Sequence, residues 1–95
     1  MTEKIKDAYA TQLERASTYG RYENQAKCVG SIIKACVVCS EAEGQTMKEE
    51  VAGSIAYMAV KLARYAVNPT HYDTTFDMTI YASLIHELHQ DDKII

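Results

Sequence analysis

The sequence is poor in residues that interrupt helices or make tight turns: it has four glycines, one proline and no tryptophan. This scarcity favours long uninterrupted elements. No apolar run reaches about 18 residues, which excludes a membrane-spanning helix, and the first ten residues contain no apolar core typical of a signal peptide. We therefore expect a cytoplasmic protein.

An excess of positive charge is also missing. Lysine and arginine total 10 against 13 acidic residues, giving a net charge of -3, which excludes the broad basic surface that binds duplex nucleic acid or an anionic membrane. A length of 95 residues predicts a single domain over residues 1–95 with a modest core. Because a small core gains stability when a further face is buried against another subunit, we expect a homo-oligomer.

Apolar residues recur at spacings of three and four over four segments, and no alternating strand pattern competes with them. The sequence therefore predicts an all-α protein resembling a four-helix bundle. The predicted helices cover approximately residues 3–17, 22–40, 46–66 and 73–89. Thr2 is the expected N-cap of the first helix and Gly20 its C-terminal stop. Thr46 and Glu49 match a capping box for the third helix, which ends before Pro69.

The third helix has the clearest apolar seam, formed by Met47, Val51, Ile55, Met58, Leu62 and Tyr65. Most of its other positions are small, which permits another helix to approach closely. We predict that this helix is central and that its seam mediates self-association. The fourth helix carries a predicted core stripe formed by Phe76, Ile80, Leu84 and Leu88.

A polar stripe accompanies this seam. Glu50, Ser54, Tyr57, Lys61 and Arg64 share one face of the third helix, and Asp73, Asp77 and Tyr81 share one face of the fourth. Antiparallel packing across the short Asn-Pro loop would place Arg64 near Asp73, Lys61 near Asp77, and Tyr57 near Tyr81.

Two interpretations of this stripe remain open. In the first it is a nucleotide-binding groove, where Lys61 and Arg64 hold phosphates and Tyr57 and Tyr81 stack on a base. Glu50, Asp73 and Asp77 would then hold Mg2+, which prefers carboxylate and phosphate oxygen. In the second, the charges form only an interhelical ion-pair ladder on a solvated face.

A longer motif extends over the same region. It consists of Arg15 with Tyr19-Gly20, then Lys61-Leu-Ala-Arg64, then Asn68-Pro69-Thr-His71-Tyr-Asp73-Thr-Thr-Phe-Asp77-Met-Thr-Ile-Tyr81-Ala82. This pattern resembles a family of small helical proteins of unknown function common in phages, over roughly residues 14–88. That family is in turn similar to the MazG-like all-α nucleoside triphosphate pyrophosphohydrolases. The resemblance implies a MazG-like oligomeric fold, location in a host cytoplasm, and Mg2+-dependent cleavage of an NTP to NMP and pyrophosphate.

The same resemblance implies roles for individual residues. MazG-like enzymes carry Glu-x-x-Glu on one helix and Glu-x-x-Asp on a later one; Glu50 matches the first acid and Asp77 the last, as catalytic residues. Gly53 and Thr74 stand where the other two acids are expected. This departure leaves an alternative open: a non-catalytic phage protein that sequesters a nucleotide signal, or one that binds and inhibits a host protein.

Three further features are weaker. Cys36 and Cys39 match Cys-x-x-Cys, but without a second pair they are expected to be reduced, buried structural thiols. His86, Glu87 and His89 have the spacing of a helical metal cluster without a convincing further ligand. His71 either contacts phosphate or caps the fourth helix.

Overall fold

A computed structural model describes residues 3–90, with side chains from residue 4 onward. The described residues form four helices and no strand: α1 is Glu3–Tyr19, α2 is Tyr22–Ala42, α3 is Glu49–Val67 and α4 is Tyr72–Leu88. This confirms the all-α prediction. The predicted N-cap Thr2 lies outside the described residues. Within the described residues, no helix combines the length and apolarity needed to cross a membrane.

Gly20 ends α1 as predicted. Its φ is 87°, a left-handed conformation that glycine adopts without steric cost, and its N–H donates to the Ala16 carbonyl at 3.0 Å. Gln25 stabilises the same helix end, because its side-chain amide donates to the Tyr19 carbonyl at 3.0 Å and to the Gly20 carbonyl at 3.3 Å. A Cβ on Gly20 would lie 3.2 Å from Val67, so the turn also packs tightly against the end of α3.

The predicted capping box at the start of α3 is wrong. The helix begins at Glu49, the N-cap residue is Lys48, and no side chain caps it. The preceding loop is tied to α2 instead: the Gln45 N–H donates to the Ser40 carbonyl at 2.9 Å, and Ser40 Oγ donates to the Gln45 carbonyl at 3.2 Å. The loop therefore stays extended past Thr46, and the helix starts three residues later.

The third helix is central, as predicted from its small residues. Of the three other helices that the structure describes, α2 and α4 make the most extensive contacts with α3, and α1 makes a smaller one. Ala59 is fully buried and Ala63 nearly so. Because neither side chain extends beyond a methyl group, the neighbouring helices approach the α3 backbone closely.

The predicted core stripe of α4 is not covered by the other residues that the structure describes. Phe76, Ile80, Leu84 and Leu88 are all exposed, and so are Leu62 and Tyr65 of the α3 seam. Among the described residues only Ala59 and Ala63 are buried hydrophobics. The fully buried apolar positions are thus small side chains, while large apolar ones such as Ile33, Ile55 and Met58 are only half-buried.

The cysteines also differ from expectation. All three are free thiols within α2, as predicted, but Cys39 is exposed and Cys28 and Cys36 are only half-buried. The expectation of buried structural thiols is therefore wrong for Cys39. Its helix contacts α3, but this contact leaves Cys39 exposed.

Substitution of the glycines should separate backbone strain from crowding. We expect Gly20→Ala to lower the free energy of unfolding by about 1–3 kcal/mol, because its positive φ disfavours a Cβ and Val67 crowds the site. Gly44 also has a positive φ, 73°, but a Cβ there would have no neighbour within 4 Å. Gly44→Ala should therefore lower the free energy of unfolding by less than Gly20→Ala does. Urea unfolding at one fixed protein concentration measures both.

Gly30→Ala is the matched control. Gly30 lies inside α2, and a methyl group added there would have no atom of a neighbouring element within 4 Å, so alanine should stabilise the protein by about 0.5–1 kcal/mol. A Gly20→Ala protein as stable as the Gly30→Ala protein would contradict the packing of this turn.

Candidate functional site

Two of the three predicted contacts between α3 and α4 are confirmed. Lys61 Nζ lies 2.9 Å from Asp77 Oδ2, and the rings of Tyr57 and Tyr81 stack with centroids 5.4 Å apart. Both contacts follow from one antiparallel register across the Asn-Pro loop. The helical spacing of the polar residues therefore correctly indicates how the two helices meet.

The Lys61–Asp77 pair lies at the boundary between core and solvent. Lys61 is only 8% exposed, whereas the Asp77 side chain is 41% exposed. The Lys61 ammonium also lies 5.7 Å from the centroid of the Tyr81 ring, a distance at which a cation–π attraction contributes. A buried ammonium requires a counter-charge, so Asp77 and Tyr81 together make its burial tolerable.

The third predicted contact, between Arg64 and Asp73, is wrong. The Arg64 guanidinium carbon lies 4.5 Å from the centroid of the Tyr19 ring, and Asp73 is an exposed residue whose carboxylate is 4.0 Å from His71 Nε2. The reason is the close packing of the α1 C-terminus on the last turn of α3. It places the guanidinium over an aromatic face, and no ion pair with Asp73 forms.

His71 takes part in the same contact. It occupies the N-cap position of α4, as one of the two alternatives predicted, but its side chain makes no capping hydrogen bond. Instead its ring packs edge-on against Tyr19 at 5.3 Å, and Nε2 lies 3.3 Å from the Tyr19 hydroxyl. Tyr19 is therefore held between His71 and Arg64.

A cavity of about 350 Å3 opens beside Tyr19 and Arg64, between α1 and the start of α2. We call it the arginine cavity. It is lined by Tyr9, Gln12, Leu13, Arg15, Ala16, Tyr19, Gly20, Arg21, Tyr22, Gln25 and Arg64. Its volume lies within the range of small-molecule sites.

The charge distribution of the arginine cavity is unlike that of the chain. The sequence contains three arginines, and all three line this cavity, although the chain as a whole is acidic. None of the described lining residues is an aspartate or glutamate. Arg21 makes a loose ion pair, 3.7 Å, with the exposed Glu23, and over residues 4–90 neither Arg15 nor Arg64 has a carboxylate within ion-pair distance.

Arg64 is the least satisfied of the three. Its Nε is a buried side-chain nitrogen with no hydrogen-bond partner among the described residues. Leaving such a donor unpaired costs about 1–3 kcal/mol. The position therefore combines an uncompensated positive charge, an unpaired N–H group and an adjacent tyrosine ring.

The carboxylates predicted to hold Mg2+ do not meet within the chain. Glu50 lies in the first turn of α3 and lines a different cavity, near His89. It precedes Lys61, the partner of Asp77, by eleven residues, which separates it from that pair by about 16 Å along the helix axis. Over the described residues, no group of three or more His, Cys, Asp or Glu side chains is arranged to hold a metal ion.

The remaining predicted positions also fall into separate places. Tyr57 and Tyr81 line a largely apolar groove with Ser54, Leu84, Ile85 and Leu88. His86 Nε2 lies 2.7 Å from the Gln90 amide nitrogen and, with His89, lines a shallow depression at the end of α4. The expected single polar cavity is therefore divided, and of the predicted binding residues Arg64 alone lines the arginine cavity.

Sequence reasoning missed most of the arginine cavity. Arg21, Tyr22 and Gln25 belong to the turn between α1 and α2, where no helical spacing links them to α3. The one sequence signal for this cavity was the Arg15 and Tyr19-Gly20 element. Tyr19 and Gly20 follow Arg15 by four and five residues, so all three lie at the C-terminal end of the first helix. The element indicates the cavity only once the contact between Tyr19 and Arg64 is known.

Comparison with known proteins identifies one family. A family profile described as a domain of unknown function (DUF6378) matches residues 5–89, which is most of the chain and includes every residue of the arginine cavity. No curated protein matches the sequence, and no solved structure matches the fold.

The Lys61–Asp77 pair should respond asymmetrically to substitution. Asp77→Asn leaves a buried ammonium without its counter-charge and should lower the free energy of unfolding by about 1–3 kcal/mol, moderated by the exposure of Asp77. Lys61→Met keeps the packing of the stem and removes the charge, so it should change stability by less than about 1 kcal/mol. Urea unfolding measures each variant.

The control is Asp73→Asn, because the Asp73 side chain is exposed and its one ion-pair contact, to His71 Nε2, is long at 4.0 Å. This substitution should change the free energy of unfolding by less than about 0.5 kcal/mol. The double variant Lys61→Met with Asp77→Asn should be more stable than Asp77→Asn alone. If Lys61→Met is the more damaging single change, the pair does not have the role assigned here.

Proposed function

We propose that this chain, which belongs to the DUF6378 family of proteins of unknown function, is a nucleotide-binding protein and that its site is the arginine cavity. The observation that supports the proposal is the collection of all three arginines at one cavity that has no acidic lining residue. The net charge of the chain is -3, so the protein as a whole repels anions. The three arginines make the cavity a local region of positive charge that attracts them.

The residue types fit the two parts of a nucleotide. Guanidinium groups bind phosphate through paired N–H donors in a fixed plane, and Arg15, Arg21 and Arg64 supply them. Tyrosine rings stack on heteroaromatic bases and offer a hydroxyl to the polar edge. Tyr22, exposed at the cavity and outside the α1 helix, is the ring free to make this contact.

The Arg64–Tyr19 contact prepares the site for an anion. The ring holds the guanidinium by a cation–π interaction. A carboxylate in the same place would neutralise the positive charge, whereas the ring leaves it in place. A phosphate oxygen arriving at this guanidinium therefore replaces no existing ion pair. Lys61, by contrast, is already paired with Asp77, so we assign it to the packing of α3 on α4.

Binding does not require the metal chemistry that the resemblance to MazG-like enzymes implies. The carboxylates of residues 4–90 do not form a Mg2+ set within one chain, so we derive no hydrolytic step. Mg2+-dependent pyrophosphohydrolysis, a MazG-like relationship and a phage origin remain predictions. The function that we favour is non-catalytic: binding or sequestration of a nucleotide. Inhibition of a host protein is the alternative.

Calorimetry with a graded set of ligands tests this proposal. We expect nucleotides to bind more tightly than the corresponding nucleosides, because nucleosides lack the phosphate, and more tightly than pyrophosphate, which lacks the base. Binding should persist in EDTA, because the arginines rather than a metal hold the phosphate. The proposal fails if no mono-, di-, tri- or cyclic nucleotide binds, or if nucleosides bind equally well.

Charge-removing variants should locate the site. Arg15→Gln and Arg21→Gln alter exposed side chains and should each weaken nucleotide binding by about tenfold or more, the equivalent of one charge-assisted contact. Lys34→Gln removes the same charge from an exposed position of α2 outside the cavity and should leave affinity within about twofold. Equal effects of all three would indicate non-specific attraction only.

An assay for pyrophosphate release, with each NTP and dNTP plus Mg2+, separates binding from catalysis. The non-catalytic function predicts no release above the rate without protein. Release that is lost in Glu50→Gln or Asp77→Asn, with binding retained, would instead support the hydrolase that the resemblance implies.

A further inference from the structure

We propose that a second copy of this chain covers two exposed apolar stripes, one on α1 and one on α4, so that the folded unit contains at least two chains. The inference is independent of the proposed nucleotide binding. It rests on the position of the large apolar side chains and on the surface area of the chain.

The α4 stripe has the periodicity of a buried helix face. Phe76, Ile80, Leu84 and Leu88 recur every four residues, and their exposures lie between 43% and 51%. Such a stripe normally faces a core. Here the adjoining side of α4 makes the contact with α3, through residues such as the buried Thr74 and the ion-paired Asp77, and the stripe itself stays exposed.

The α1 stripe is exposed for a different reason. Residues 4–15 are all exposed, and α1 is held at its C-terminal end, where Tyr19 contacts His71 and the Thr18 carbonyl accepts a hydrogen bond from Asn68. Ile5, Tyr9 and Leu13 form its apolar stripe, with exposures of 54–59%. Helices in proteins owe most of their stability to the packing of an amphipathic face, so α1 needs a surface that residues 16–90 do not provide.

The total surface supports the same conclusion. The accessible area is 7496 Å2, whereas a folded monomer of 10.6 kDa is expected to expose about 5,500 Å2. The radius of gyration is 16.5 Å, against about 12 Å expected for a compact domain of this length. The chain thus has about 2,000 Å2 more surface than a self-sufficient monomer.

The size of this excess surface area indicates which molecule covers the two apolar stripes. Two chains that each bury about 2,000 Å2 form an interface of about 4,000 Å2, within the range of obligate homodimers and well above that of transient complexes. An obligate partner must be present whenever the chain folds. A second copy of the same chain meets this requirement, because it is made together with the first. A two-fold arrangement would cover both copies at once.

Such an interface also reaches the arginine cavity. Tyr9 and Leu13 belong to the α1 stripe and also line the cavity, so a second copy packed on α1 lies beside the cavity.

Sedimentation equilibrium of the full chain tests the proposal. We expect a mass of at least twice 10.6 kDa at micromolar concentration, and a thermal unfolding midpoint that rises with protein concentration. A mass of one chain with full helical circular dichroism between about 1 and 100 µM would overturn the proposal. So would a complex in which one copy of this chain is bound to a different protein.

Ile80→Glu places a charge in the α4 stripe and should raise the dissociation constant by at least about thirtyfold, the effect of a central interface residue. Ala82→Glu is the matched control, because Ala82 is exposed on the same helix but about 160° around it from Ile80; it should leave the mass unchanged. Equal effects of the two variants, or none from Ile80→Glu, would contradict the assigned face.

Discussion

The antiparallel register of α3 and α4, fixed by the Lys61–Asp77 pair, is the constraint on which the rest of the structure depends. A buried ammonium tolerates only a narrow range of positions for its counter-charge, and the two atoms are 2.9 Å apart. A shift of α4 by one turn would separate them and also unstack Tyr57 from Tyr81. The same register brings the Asn-Pro loop and His71 to the end of α3, where Tyr19 of α1 packs.

The two positively charged side chains on the last turns of α3, Lys61 and Arg64, make different contacts. Lys61 points toward α4 and is neutralised, whereas Arg64, three residues later, points toward α1 and lies over a tyrosine ring. Lysine suits the first place because a compact ammonium fits one carboxylate. Arginine suits the second because a planar guanidinium stacks on a ring and keeps N–H groups for another acceptor. The helix therefore carries one cation that is ion-paired and, one turn later, one that is stacked on an aromatic ring.

The sequence permitted correct prediction of the features that depend on spacing within a helix or across one short loop. The Lys61–Asp77 and Tyr57–Tyr81 contacts and the turn at Gly20 belong to this class. Features that depend on distant contacts were not predictable. Arg64 meets Tyr19, 45 residues earlier in the chain, and the loop before α3 is held by Ser40 of α2 rather than by its own residues.

The apolar stripe of α4 shows the limit of periodicity most directly. A spacing of four correctly indicates that Phe76, Ile80, Leu84 and Leu88 share a face, but not which chain covers it. Within one chain the tight contacts of α3 are made by alanines, and alanines bury little apolar area per residue. A helix packed through alanines gains proximity rather than a large core. The small residues that make α3 central in the chain therefore do not draw the large residues of the α4 stripe into the contact, and these stay exposed.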